Sequence, residues 1–347
     1  MRASVLRQFG TPPMMEEVPD PTCPADGIIV KLAACGVCRS DHHAWRGVDP
    51  DVMLPHVMGH EFSGVITQIG PQVTGLQMGQ RVTAPFILSC GTCSQCKTGE
   101  PTTCATQDVI GFTMWGAFAQ YLAIPHAHAN VVPLPDAISF DVAAAMGCRV
   151  TTAWRAVSDR AQLRAGEWVT IFGVGGAGLS ALMIAKALGA HVIAVDPSPQ
   201  ARALALSQGA DHALDPTQDI LPTLYDITGG GAHVAIEAVG LTSSYELGLR
   251  SLRKMGRYVQ IGMPTGAHET VPLPLLELVY ARQLTIMGMR GLSAQGFAPL
   301  LNLMAQGVLD FAPLITQRIA LSEVAGALAA MDGAQPAGIT VVTDFAS

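Results

Sequence analysis

The sequence predicts an α/β protein of two domains: a mostly β domain, then a doubly wound parallel sheet, with the last stretch of chain returning to the first domain. Three observations carry this expectation. The chain's 347 residues exceed what one hydrophobic core usually supports. Residues 1–148 hold short apolar runs broken by Gly and Pro, a texture of short strands and long loops. Beyond residue 149 strand-like runs alternate with helix-periodic ones, the mark of a parallel sheet covered on both faces.

In the first domain, residues 27–32, 64–70 and 81–85 are expected as strands. In the second, residues 149–289, a strand over 167–172 leads through a glycine turn into a helix to about residue 188. Further strands follow at 191–195, 232–238, 257–261 and 284–287. The remainder, 290–347, shows helical patterns over 297–306 and 321–331 and a terminal strand over 339–343, most economically assigned back to the first domain. Residues 168–185 carry no charge over 18 positions, the length of a membrane span. Gly173, Gly175, Gly176 and Gly178 in their middle fit a strand, turn and helix instead.

Hydrophobic residues make up 49% and charged ones 14%, so global disorder is excluded. With 27 acidic and 20 basic residues, a net charge of −7 and no Lys/Arg block, nucleic acid and anionic membrane are excluded as partners. The N-terminal residues lack an apolar core of signal-peptide length, and a cytoplasmic location is expected.

Gly173-Val174-Gly175-Gly176-Ala177-Gly178 fits G-x-G-x-x-G between a strand and a helix. The first glycine permits the turn, the second lets backbone N–H groups approach a pyrophosphate, and the third lets helix and strand pack closely. The next strand ends in Asp196, 18 residues past Gly178, where a carboxylate can accept ribose hydroxyls and repel a 2′-phosphate. NAD is therefore expected over NADP, with Arg202, soon after the acid, as a further contact.

Cys90, Cys93, Cys96 and Cys104 supply four soft ligands in a lobe spanning 88–106, enough to close a tetrahedron around a structural zinc. Cys38, His60 and Cys148 form an incomplete Cys/His/Cys set. An incomplete shell suits a catalytic zinc, because substrate or water can take the fourth place. From spacing alone the three could equally be unrelated buried residues.

Several segments together resemble the zinc-dependent alcohol dehydrogenases of the medium-chain dehydrogenase/reductase family. They are Cys35-Gly36-Val37-Cys38-Arg39-Ser40-Asp41, Gly59-His60-Glu61-Phe62-Ser63-Gly64, the four-cysteine lobe, Gly111-Phe112 through Gly116-Ala117-Phe118-Ala119-Gln120-Tyr121, and the glycine turn. The resemblance spans essentially the whole chain. It implies a GroES-like catalytic domain, a Rossmann cofactor domain, two zinc ions per chain, NAD, and a homo-oligomer, a tetramer before a dimer.

By the resemblance, Cys38, His60 and Cys148 hold the catalytic zinc, Glu61 is a nearby carboxylate that ligates transiently, Cys35 packs, and Asp41 orients His60. Ser40 takes the alcohol proton and His43 passes it to solvent; His42 is structural. Arg39 contacts the pyrophosphate, Val239, Ile261 and Met289 are further cofactor contacts, and Phe86 and Trp115 line the substrate pocket. The implied reaction is reversible hydride transfer between an alcohol and NAD, giving an aldehyde or ketone. Alternatives are a polyol dehydrogenase of the same family, against which Cys148 and the four-cysteine lobe count, and a non-catalytic zinc- and nucleotide-binding relative. Two departures stand out. Gly338-Ile339-Thr340 replaces a basic residue that many relatives carry on the final strand, and Arg149, directly after the third ligand, has no role assigned.

Overall fold

The computed structural model describes residues 1–333 and 338–346. The chain divides into two compact units, Met1–Thr151 with Gly291–Ser347, and Thr152–Arg290.

Among the described residues, the first unit holds a seven-stranded sheet in the order Val132–Pro133, Arg81–Thr83, Glu61–Ile69, Ile28–Val37, Ile339–Asp344 and Ile315–Ala320, with Tyr121–Ile124 also pairing with Ile28–Val37. The strand Ile28–Val37 is central, and Lys31 is its exposed position. It runs antiparallel to Glu61–Ile69, with Gly36 opposite Glu61, and to Ile339–Asp344, with Val37 opposite Thr340. That second pairing is why the C-terminal stretch belongs to this unit. Val30, Leu32, Val37, Phe62, Ile66 and Phe118 form the centre of its core. Removing this apolar area from water, at about 25 cal/mol per Å², supplies the main force that holds the strand ends, and with them the site, in place.

The second unit is a parallel sheet of six strands among the described residues, ordered His212–Leu214, His191–Val195, Trp168–Phe172, Ala232–Glu237, Leu252–Gln260 and Thr285–Gly288. The order reverses between Trp168–Phe172 and Ala232–Glu237, the place where open sheets of this kind bind ligands beyond their strand ends. Phe172, Ile193, Val195, Leu249 and Tyr258 pack its core.

The uncharged stretch 168–185 resolves into the strand Trp168–Phe172 and the helix Gly176–Ala187, and no helix among the described residues is long and apolar enough to cross a membrane. The fifth strand begins at Leu252 rather than at 257. Its start is polar, with Arg253 and Lys254, and passes through Met255 at φ 62°, so the apolar pattern becomes visible only after Gly256. The helix Arg39–Trp45 and the helical run that begins at Phe140 are further additions to a domain expected to be mostly β.

Candidate active site

The central strand ends at Val37, and Cys38 caps the helix Arg39–Trp45 that follows it. Asp41, in the first turn, folds back so that Oδ2 accepts from the Cys38 N–H at 2.9 Å. Its Oδ1 accepts from the Gly59 N–H at 3.0 Å and from His60 Nδ1 at 2.9 Å. One fully buried carboxylate thus fixes two chain segments and one imidazole. With Nδ1 committed to Asp41, Nε2 of His60 is the ring atom left to ligate a metal, and that buried atom has no hydrogen-bond partner.

Cys148 arrives from the turn of helix Met146–Val150, directly after the helix Phe140–Ala145, which packs on the strands Ile28–Val37 and Glu61–Ile69. One ligand atom each from Cys38, His60, Glu61 and Cys148 lie within 4.8 Å of one another. Two sulfurs, an unpartnered imidazole nitrogen and a nearby carboxylate are the donor set of a catalytic zinc. The hydrogen bond with Cys148 holds the Cys38 thiol well below its ordinary range, against the opposing effect of burial. For His60, burial works to lower the pKa, and the charge and hydrogen bond of Asp41 together with those of Cys38 outweigh it and raise the group well above its usual value.

Around these atoms the walls are aromatic. Phe86 and Phe112 meet the His60 ring edge-on, at centroid distances of 5.7 and 5.2 Å. Trp115 is exposed and donates from Nε1 to the Pro55 carbonyl at 3.2 Å. Ser40 Oγ lies 4.0 Å from Cys38 Sγ. His43 sits on the same helix, half-buried, with Nδ1 unpartnered, while His42 Nε2 is tied to Asp332 at 2.7 Å. Burial first, then the charges of Arg39 and His42, hold His43 below the ordinary histidine range. Arg39 donates to the Met331 carbonyl at 2.7 Å.

In the cysteine lobe the sulfurs of Cys90 and Cys104 are 3.5 Å apart, Cys93 and Cys96 3.4 Å, and Cys93 and Cys104 3.8 Å. A tetrahedron with metal–sulfur bonds of about 2.3 Å has edges of about 3.8 Å, so the four thiols fit one zinc with no place left over.

In the second unit Gly173 has φ 80°, and a Cβ on Gly178 would stand 1.9 Å from the Gly173 carbonyl oxygen. A Cβ on Gly175 would meet nothing within 4 Å, which leaves open space above the start of the helix Gly176–Ala187. The turn therefore fits a bound pyrophosphate. Asp196 accepts from the Val174 N–H at 3.0 Å and the Ser198 N–H at 2.8 Å, so it also shapes the turn. Arg202 is engaged by the carbonyls of Asp196 and Pro197 at 2.6 and 2.9 Å and by Asp215 at 3.2 Å. Val239, Ile261 and Met289 all lie just past the carboxyl ends of strands.

Residues 24–136 match the family model "Alcohol dehydrogenase GroES-like domain", and residues 176–306 match "Zinc-binding dehydrogenase". An alcohol dehydrogenase of Geobacillus stearothermophilus is 36% identical over 281 residues, 80% of this chain and 82% of that relative. The chain belongs to the zinc-containing medium-chain alcohol dehydrogenase family. A sorbitol dehydrogenase of Halalkalibacterium halodurans is 31% identical over 93% of this chain and 94% of its own length. Among solved structures, an NAD-dependent alcohol dehydrogenase matches at 31% identity with a TM-score of 0.89, covering 99% of each chain. The protein is thus a zinc-dependent dehydrogenase of this family, an oxidoreductase acting on CH–OH groups.

Within this family framework the structure adds residues that the sequence did not single out. Phe112 shares the wall role given to Phe86. Glu237, fully buried at the end of the fourth strand, accepts from the N–H groups of Val239 and Gly240 and from Ser244 and Gln260, pinning the loop that bears Val239. Arg149 also gains a partner, in Glu61. Its backbone N–H and Nε donate to Oε1 at 3.2 and 3.0 Å, and Nη2 donates to Oε2. Burial pushes the Glu61 carboxyl up to about 6, with Arg149 pulling the other way, so the carboxylate form prevails at neutral pH.

Proposed function

We propose that this protein is an NAD-dependent alcohol dehydrogenase that interconverts an alcohol with its aldehyde or ketone, a cytoplasmic homo-oligomer with two zinc ions per chain. The observation that carries the reading is the incomplete donor set of Cys38, His60 and Cys148, with His60 Nε2 buried and without a hydrogen-bond partner. Zinc, when bound, polarises an alcohol oxygen, and NAD, when bound, accepts hydride.

The chain's own groups do the rest. Asp41 fixes the imidazole so that only Nε2 is free to ligate. Phe86 and Phe112 make the floor of the site apolar and exclude water from beside the ligands. Ser40, on the first turn of the helix beside Cys38, takes up the substrate hydroxyl's proton. His43, kept neutral by its surroundings, accepts it for release to solvent, whereas His42 is committed to Asp332. The Gly173–Gly178 turn cradles the pyrophosphate, and Asp196 takes the ribose hydroxyls. Because Arg202 is spent on two carbonyls and Asp215, it is a poor receptor for a 2′-phosphate, which favours NAD.

The sorbitol dehydrogenase relative supports a second reading, a polyol substrate. The aromatic surround of His60 speaks for a less polar alcohol. The test is NADH formation at 340 nm over primary, secondary, cyclic and aromatic alcohols and sorbitol, with Cys148→Ala as control. Turnover of simple alcohols that Cys148→Ala abolishes is expected. Turnover confined to polyols, or persisting in Cys148→Ala, overturns the reading. Within the active enzyme, His43→Gln should slow oxidation by roughly ten- to a hundredfold, with partial rescue by added base. A larger, base-rescuable loss in His42→Gln would move the relay to His42.

A further inference from the structure

The Arg149–Glu61 pair is a buried ion pair at the edge of the candidate metal centre, and each partner is the chain neighbour of a ligand, Arg149 of Cys148 and Glu61 of His60. The Glu61 side chain is fully buried and that of Arg149 nearly so. Among the described residues, Arg149 alone donates hydrogen bonds to the Glu61 carboxylate, through backbone N–H, Nε and Nη2. Two glycines make the room. A Cβ on Gly36 would stand 2.1 Å from Glu61 Oε2 and 2.9 Å from Arg149 Nη2, and one on Gly147 would stand 2.7 Å from Glu61 Cα.

The chemistry gives this pair a task. Cys38, His60 and Cys148 offer a cation three ligands, and a carboxylate oxygen of Glu61 already lies within 4.8 Å of their donor atoms. A buried carboxylate with no counter-charge would gain most by moving onto a divalent cation, at a bond length of about 2.0–2.2 Å, and that would close the tetrahedron. With Cys38 and Cys148 as thiolates, the cation's two charges are already balanced, and a third anion would leave the shell negative. A planar guanidinium holding both carboxylate oxygens opposes that movement with directional bonds and a fixed positive charge.

We propose that Arg149 is a positioning residue that holds Glu61 out of the metal shell, so that the fourth coordination place stays available to substrate. This rests on the reading of Cys38, His60 and Cys148 as the catalytic zinc ligands. It gives a role to a charged residue directly after a ligand, and it predicts that the two residues act as one unit.

The test uses the full-length protein loaded with zinc, and separately with cobalt(II), whose visible spectrum reports its ligands. In Arg149→Met, Glu61 should enter the shell. The cobalt bands should shift, release of the metal from this site to a chelator should slow by about tenfold or more, and kcat should fall. The double variant Glu61→Gln/Arg149→Met, a neutral pair of similar volume, should return the wild-type spectrum and release rate. Arg149→Lys keeps the buried charge but lacks the fork, so it carries the test if Arg149→Met does not fold. It should shift the bands in the same sense by a smaller amount. Release and spectra within about twofold of wild type in Arg149→Met, or in Arg149→Lys where that is the folded variant, overturn the proposal, as does a double variant no closer to wild type than Arg149→Met. Failure of the underlying site reading looks different: Cys148→Ala would then bind as much metal as the wild type.

Discussion

Asp41→Asn is the sharpest perturbation of the site, because one buried carboxylate serves three donors. Its Oδ1 accepts from Gly59 N–H and His60 Nδ1, and its Oδ2 from Cys38 N–H. An amide must turn its NH₂ toward one side. Facing Gly59 and His60 it would lose two bonds, so it turns toward Cys38 and loses one. A buried hydrogen bond to a charged group is worth about 1.5–3 kcal/mol. For a unit of this size that lowers the melting temperature by about 3–12 °C. The amide oxygen left to His60 is also a weaker acceptor than the carboxylate, so the ring is held less firmly and is less basic at Nε2. Loss of an orienting partner of a ligand typically costs 10–100-fold in metal affinity, and zinc should pass to a chromogenic chelator correspondingly faster from this site, with the four-cysteine site unaffected. The measurement pairs thermal melts with chelator-release kinetics. Release at the wild-type rate and melting within about 1 °C of wild type would refute the assignment of Asp41 as the group that orients His60.

Elemental analysis of undialysed protein should find two zinc ions per chain, with Cys148→Ala losing one and all turnover while keeping its fold, and Cys93→Ala losing stability first. The wild type should prefer NAD, and Asp196→Gly should narrow the gap in kcat/KM between NAD and NADP; equal or better NADP use by the wild type would contradict the role of Asp196. Glu167 is gripped by Arg257 through two bonds of 2.6 Å, and although burial works to raise its pKa, these bonds hold it below the ordinary glutamate value. A depressed carboxylate stabilises the fold above its unfolded pKa and loses that contribution as pH falls through the acid range. Glu167→Gln should therefore melt below wild type at neutral pH, with the difference shrinking toward zero as both are acidified.

Where a pattern is local, the sequence is legible. The strand Trp168–Phe172, the turn and the helix Gly176–Ala187 follow one another within twenty residues, and each has its own signal: a β-rich apolar run, fixed glycine spacing and a helical stretch whose first charge is Lys186 in the last turn. Where structure depends on distant pairing, the signal weakens. The start of the strand Leu252–Gln260 is polar and irregular, and its hydrogen bonds to Ala232–Glu237 make it a strand nonetheless. The helix Arg39–Trp45 is shorter than a periodicity window, and its start is held by Asp41, whose carboxylate accepts from the Cys38 N–H.

The same division runs through the site. Cysteine and histidine at metal-competent spacing are rare enough to be noticed, and the structure brings Cys38, His60 and Cys148 together. The Arg149–Glu61 pair spans 88 residues of sequence and the His42–Asp332 pair 290, and no spacing rule reaches that far. A weaker signal was nevertheless present. Arg149 is the lone charge between Asp141 and Arg155, and Glu61 the lone acid between Asp51 and Glu100. Each adjoins a ligand, each is buried in the structure, and burying a lone charge unpaired costs several kcal/mol. Two such charges of opposite sign can both be accommodated if they meet. Isolated charges of opposite sign flanking metal-ligand motifs are therefore worth testing as partners, but Arg81, the lone charge between Glu61 and Lys97, is just as isolated, and it is the fold that brings Arg149 onto Glu61.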